Sequence, residues 1–146
     1  MPDTVADILA QKPGEIWSVG PDCKVYDAIA LMAEKNVGAL PVLVDGELVG
    51  IISERDYARK VILSNRSSRE TAVREIMTSP VTTVTTNVKV EECMRIVTSE
   101  RVRHLPVTDC SRIIGVISIG DLVKAIISDQ AATIDQLHHY IAGKYP

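Results

Sequence analysis

Gly115-Val116-Ile117-Ser118-Ile119-Gly120-Asp121 repeats a stretch that the chain has already used, Gly50-Ile51-Ile52-Ser53-Glu54-Arg55-Asp56, after an interval of 65 residues. The same interval, applied without gaps, matches Val19 to Val84, Lys24 to Lys89, Val25 to Val90, Val37 to Val102, Leu40 to Leu105, Pro41 to Pro106 and Val42 to Val107. The unit of organisation is therefore a duplicated module of roughly 60 residues.

Each copy of the stretch reads as strand, tight turn and helix. The apolar, largely β-branched runs Leu48 to Ile52 and Ile113 to Ile117 have the length and composition of short buried strands. Ser followed three residues later by Asp, ahead of an apolar-periodic segment, marks a helix start. A glycine inside a strand points to close approach by a ligand or another backbone. Ser and Asp beside the free N–H groups of a helix N-terminus suit an anion, but the same pair equally forms a capping box that satisfies the helix itself. Recurrence of glycine, serine and aspartate in register favours the ligand reading.

Outward from the motif, Ala39 to Val44 precedes Leu48 to Ile52 with Asp45-Gly46 between them, a strong signal for a type I′ hairpin. The second copy has the poorer turn Asp109-Cys110-Ser111-Arg112 at that point. Pro41 and Pro106 belong at strand openings or sheet edges, because proline donates no N–H. Val25, Ala28, Ile29 and Met32 make one helical stripe and Val90, Cys93, Met94 and Val97 its counterpart. Ile16 to Val19 and Val81 to Val84 read as short lead-in strands, and Val73 to Ile76 as a one-turn helix. After Asp56, Tyr57 to Leu63 continues a helix with Val61 and Ile62 inward and Arg59 and Lys60 outward; after Asp121 the corresponding helix runs from Leu122 to about Ile127.

These elements divide the chain into an N-terminal helix (1–14, stopped by Pro13-Gly14), a first repeat (15–63), a polar linker (64–72), a second repeat (73–128) and a C-terminal amphipathic helix (129–146). In the N-terminal helix Val5, Ile8 and Leu9 share a face capped by Asp3 or Thr4; in the C-terminal one Ile134, Leu137 and Ile141 do so. The terminal helix is expected to pack on the N-terminal helix or on a second subunit.

At 146 residues the chain suits one domain, and its core must be aliphatic, since aromatics are 3% of residues and Phe is absent. A net charge of -3 argues against a nucleic-acid binder, which must neutralise phosphates. No apolar run is long enough to span a bilayer and Met1-Pro2-Asp3 opens no leader, so a soluble cytoplasmic protein is expected. Cys23, Cys93 and Cys110 include no Cys-x-x-Cys pair and fit a reducing compartment, with Cys93 on a core face. His138-His139 lie about 100° apart on a helix and have no third ligand, so no metal site is expected. No nucleophile is paired with a base, which argues against an enzyme.

Gly-h-h-Ser-x-x-Asp, where h is an apolar residue, follows an Ala-Leu-Pro-Val or His-Leu-Pro-Val strand twice in tandem and resembles the cystathionine-β-synthase (CBS) domain pair. The resemblance spans about residues 15 to 129. The run Ser53-Glu54-Arg55-Asp56-Tyr57-Ala58-Arg59-Lys60 is similar to stand-alone bacterial CBS-pair proteins and their plant organellar relatives. The resemblance implies an α/β fold in which tandem repeats form one pseudo-twofold module of small sheets packed against helices. It also implies clefts for adenosine-containing ligands: AMP, ADP, ATP, NAD(H) or S-adenosylmethionine. One cleft would pair Ser118 and Asp121 with Trp17, Ser18, Val37, Gly38 and Ala39. The other would pair Ser53 and Asp56 with Thr78, Thr82, Val102, Arg103 and His104. Arg103 and His104 are themselves assigned to the Ser118 cleft as phosphate-binding side chains, with Arg55 the basic residue of the other.

Chemically, each aspartate can accept from both vicinal hydroxyls of a ribose, while serine hydroxyls and helix N–H groups suit phosphate. The expected function is a regulatory nucleotide sensor that acts on subunit geometry or on a partner, as a homodimer. The alternative is a constitutive interaction module with vestigial clefts whose partner is a redox protein or an enzyme. A third reading, a degenerate fragment of a CBS-containing enzyme such as IMP dehydrogenase, lacks any catalytic domain.

Overall fold

The computed structural model describes residues 3–12 and 14–128. The expected helix at 133–142, His138, His139 and Pro13 of the expected helix stop lie outside them. The chain divides into two compact units. The first contains the residues up to Gly14, Val84–Val107 and those from Gly115 on; the second contains Glu15–Thr83 and Thr108–Ile114.

In the second unit, α2 (Val25–Lys35) buries Val25, Ala28 and Met32, three members of the stripe read from the sequence. It ends at Asn36, whose left-handed backbone (φ 56°) stops the helix. β1 (Ala39–Val44) and β2 (Glu47–Ser53) then pair antiparallel. Asp45 and Gly46 both have positive φ, 50° and 82°, as a type I′ turn requires. α3 (Glu54–Tyr57) follows directly, and Ala58–Ile62 widen into a π-turn. Val61 is buried, but Ile62 is 57% exposed rather than inward, because the extra residue in a π-turn rotates the following side chains off the core face. α4 (Val73–Ile76) closes the unit by setting Val73 and Ile76 into the core formed by Val25, Ala28, Met32, Leu40, Val42, Ile52 and Val61.

The second repeat follows the same plan, with Thr108–Ile114 of its hairpin belonging to the second unit. α5 (Val90–Glu100) buries Val90, Cys93 and Val97, β3 (His104–Asp109) pairs with β4 (Arg112–Ser118), and a helix over 119–128, here α6, follows Ser118. Without the glycine of the first hairpin, Cys110 and Ser111 both take left-handed backbone, φ 50° and 69°. The place of α4 is filled by α1 (Val5–Ala10), capped by Thr4, whose Val5 and Ile8 enter a core with Val84, Leu105, Val107, Ile117 and Leu122.

The correspondence of α1 with α4 extends to the backbone. Val5 N donates to Val88 O and Val90 N to Asp3 O; Val73 N donates to Cys23 O and Val25 N to Thr71 O. Thr4 bridges Lys89 as Ala72 bridges Lys24. α1 is thus built as the opening segment of a repeat. Each unit joins the opening segment of one repeat to the helix of the other and to the hairpin residues that pack on it. The expected lead-in strands shorten to single parallel bridges, Val19 to Val42 and Val84 to Val107. Both cores are aliphatic, with one methionine and one buried cysteine.

Because Ile8 is 5% exposed and Ile76 1%, Ile8→Ala is expected to cost about 2–5 kcal/mol, as much as Ile76→Ala. Urea unfolding of the two variants checks this; a helix merely appended to the fold would leave Ile8→Ala near zero.

Candidate functional site

Each strand-to-helix junction is built by its glycine. A Cβ on Gly50 would lie 2.5 Å from Met77 Sδ and 3.2 Å from Thr78 O; one on Gly115 would lie 2.6 Å from Leu9 Cδ2. The bare backbone therefore admits the end of α4 or of α1 against the strand. The close approach read from these glycines is made by the chain itself.

The serine and aspartate that follow form reciprocal caps in both copies. Ser53 N donates to Asp56 Oδ2 (2.9 Å) and Asp56 N to Ser53 Oγ (3.1 Å). Ser118 N donates to Asp121 Oδ2 (2.8 Å) and Asp121 N to Ser118 Oγ (3.1 Å). The capping reading is realised, and it fixes both carboxylates at the mouth of the turn.

A lysine meets each carboxylate. Lys60 Nζ lies 3.0 Å from Asp56 Oδ1 and donates to Ile76 O (2.9 Å). Lys12 Nζ lies 2.7 Å from Asp121 Oδ2 and donates to Val116 O (2.8 Å). Lys60, read as outward, thus folds back over its own helix to a carboxylate four residues earlier. Its signal was present in the i, i+4 spacing of Asp56 and Lys60. Lys12 had no such signal, being 109 residues from Asp121.

In the second unit Thr78 Oγ1 donates to Asp56 Oδ1 (3.4 Å), and Thr78 exchanges backbone hydrogen bonds with Ile51. This unit also holds Trp17, Ser18, Val37, Gly38, Ala39, Arg55 and Thr82. Gly38 O accepts from Glu54 N (3.1 Å) and Ala39 pairs with Ser53. The Lys35 ammonium stands 4.2 Å from the Trp17 ring centre, a cation–π contact. Arg55 lies in α3 and is partly buried, while Thr82 is exposed.

In the first unit Arg103 O accepts from Ile119 N (2.8 Å), and Val102 packs on the core. His104, half-buried, opens β3 within the electrostatic reach of Lys12 and Asp121. Arg103 and His104 thus join Ser118 and Asp121 in one unit, whereas Ser53, Asp56 and Thr78 join in the other.

Burial disfavours the Asp121 carboxylate, but the Lys12 ammonium and the Ser118 N–H outweigh it and hold the group below its usual range. For His104, burial lowers the pKa, Lys12 and Arg103 add to this, and Asp121 opposes it. The imidazole is held neutral. Among the described residues no group of three or more His, Cys, Asp or Glu could hold a metal ion, and no helix is long and apolar enough to cross a membrane.

The CBS domain family model matches residues 5–63 and 73–128. The chain is 41% identical to the mitochondrial CBS domain-containing protein CBSX3 of Arabidopsis thaliana, over 97% of this chain and 73% of that one. Its structure is similar to that of a CBS-domain protein from Burkholderia ambifaria, with 53% identity, a TM-score of 0.84 and coverage of 87% of this chain and 96% of that one. Two solved relatives carry ligands. CBSX2 in complex with AMP is 28% identical with a TM-score of 0.70, covering 87% of this chain and 98% of that one. The domain pair of protein MJ0100, in complex with 5′-methylthioadenosine and S-adenosyl-L-methionine, is 26% identical with a TM-score of 0.76, covering 86% and 97%.

Since the folded state lowers the His104 pKa from 6.5, the unfolded chain binds more protons just below that value, and stability falls as the pH drops through it. Urea midpoints at about pH 7.5 and about pH 5.5 are expected to separate more in the native protein than in His104→Gln. Equal separations would remove the buried-imidazole assignment.

Proposed function

The chain belongs to the CBS-domain family, and we propose that it is a regulatory sensor of adenosine-containing nucleotides. The observation that carries this reading is the twice-built loop in which a capped helix start fixes an aspartate beside a lysine, Asp121 with Lys12 and Asp56 with Lys60. Each carboxylate is an acceptor for two vicinal ribose hydroxyls, and an ammonium stands beside it for a phosphate oxygen. The complexes of CBSX2 with AMP and of MJ0100 with S-adenosyl-L-methionine support adenosine compounds as the ligand class.

Ser118, Asp121, Arg103 and His104 serve one site, and Ser53, Asp56, Thr78 and Arg55 the other. Trp17, Ser18, Val37, Gly38, Ala39, Thr82 and Val102 supply apolar and backbone contacts to the base. Binding acts on the geometry of a homodimer. The exposed stripe Ile119, Val123 and Ile127 on α6 supports association through that helix. Three free cysteines support a reducing compartment such as the cytoplasm.

One observation favours a second reading. Both carboxylates are already satisfied by a cap and a lysine, which is how the vestigial clefts of a constitutive interaction module would also be closed.

A thermal-shift screen against AMP, ADP, ATP, NAD, NADH and S-adenosylmethionine, with GTP and CTP as controls, separates the two. A ligand at about 100 times its dissociation constant stabilises the fold by about 2.7 kcal/mol, a shift of several degrees. Stabilisation confined to adenosine compounds, and lost in step with Asp121→Ala and Asp56→Ala, is expected. No shift with any of them, on protein free of carried-over nucleotide, would leave the interaction module as the function.

A further inference from the structure

Beside Asp121 the first unit contains a small recess, open to solvent, between the end of α1 and one face of α6. Ile8 lies on its apolar wall, and Gln11, Lys12, Asp121, Lys124 and Ser128 are its polar lining. Two ammonium groups, one amide and one hydroxyl thus face a single carboxylate. That carboxylate already accepts from the Ser118 N–H and from Lys12.

Lys12 spends two of its three N–H donors, on Asp121 and on Val116 O, and keeps one for an incoming acceptor. Among the described residues Lys124 forms no ion pair with a carboxylate. The recess is therefore richer in donors than in acceptors, and its surplus positive charge lies within one side chain of the carboxylate. A ligand suited to it carries hydroxyls for Asp121 and an anionic group for the two ammoniums. The second unit is built differently. Its lysine comes from the same helix as the aspartate, and the position in its opening segment that corresponds to Lys12 is Pro80, which brings no cation.

We propose that Lys12 and Lys124 form a phosphate subsite beside Asp121, so that the first unit selects a ribonucleoside phosphate over the free nucleoside. This rests on the nucleotide-sensor reading and adds the residues that read the phosphate. Lys12 then has two states, paired with Asp121 in the empty site and shared with phosphate in the filled one. The chain's opening segment thereby takes part in recognition by the second repeat.

Calorimetric titration with adenosine and with AMP tests the subsite on the full chain, with thermal melts reporting the fold of each variant. The native protein is expected to bind AMP more tightly than adenosine. Lys12→Met and Lys124→Met should each weaken AMP roughly tenfold or more, the worth of one charged hydrogen bond. Adenosine affinity should stay within about twofold or improve, since Asp121 is released from its ion pair. Lys12→Arg, which keeps the charge, should preserve the preference. Native protein that binds both ligands equally, or a Lys12→Met variant that weakens both alike or neither, would overturn the subsite and leave the sensor standing. Native protein that binds neither ligand would overturn the subsite, while the sensor is decided separately by the screen of all six adenosine compounds.

Discussion

The fold depends on an exchange of opening segments. Val5 and Ile8 complete the core beneath the hairpin of the second repeat, and Val73 and Ile76 complete the core beneath the hairpin of the first. Neither repeat buries its own opening segment. Each unit therefore owes its apolar packing, and the floor of its strand-to-helix turn, to residues from elsewhere in the chain. The glycines follow from the same constraint. Leu9 and Met77 come so close to the strands that a methyl group at position 115 or 50 would collide with them. A residue that looks reserved for a ligand is first required by packing.

On that base the two carboxylates are held alike but neutralised differently. Asp56 and Asp121 both cap a helix from a strand end, so their positions are set by backbone hydrogen bonds rather than by flexible side-chain torsions. The lysine on Asp56 belongs to the same helix and arrives with it. The lysine on Asp121 comes from the far end of the sequence and arrives only once α1 has docked. Pairs as exposed as these contribute little to stability, because water screens them and long side chains must be ordered to form them. Their importance is electrostatic, in setting the charge that a ligand meets.

Much of this was legible in the sequence because the repeats declare themselves through local chemistry. Period-2 strands around Asp45-Gly46, the stripes of Val25 and Val90, and the Ser-x-x-Asp starts each obey short-range rules, and the structure realises them. The role of α1 was hidden by register. Val5, Asp7, Ile8 and Leu9 answer Val73, Glu75, Ile76 and Met77 at an interval of 68 residues, whereas the rest of the repeat matches at 65, so a comparison without gaps passes over it. Lys12 escaped for a related reason, since no local pattern ties a side chain to a carboxylate 109 residues away. The turn at Cys110-Ser111 shows the opposite case: the hairpin around it imposes left-handed backbone on residues that do not prefer it.

The exchanged segments also fix an order of events during synthesis. The second unit is drawn almost wholly from one continuous stretch, Glu15–Thr83, and most of its contacts are available as soon as that stretch has left the ribosome. α1 emerges before that stretch, yet its core partners run from Val84 to Ala125. Its apolar face must stay unburied while most of the chain is made, and its docking closes a long loop whose entropic cost grows only slowly with length. A segment made before all of its core partners is thus among the last to find its place, and until it docks its apolar face is open to aggregation and to chaperones.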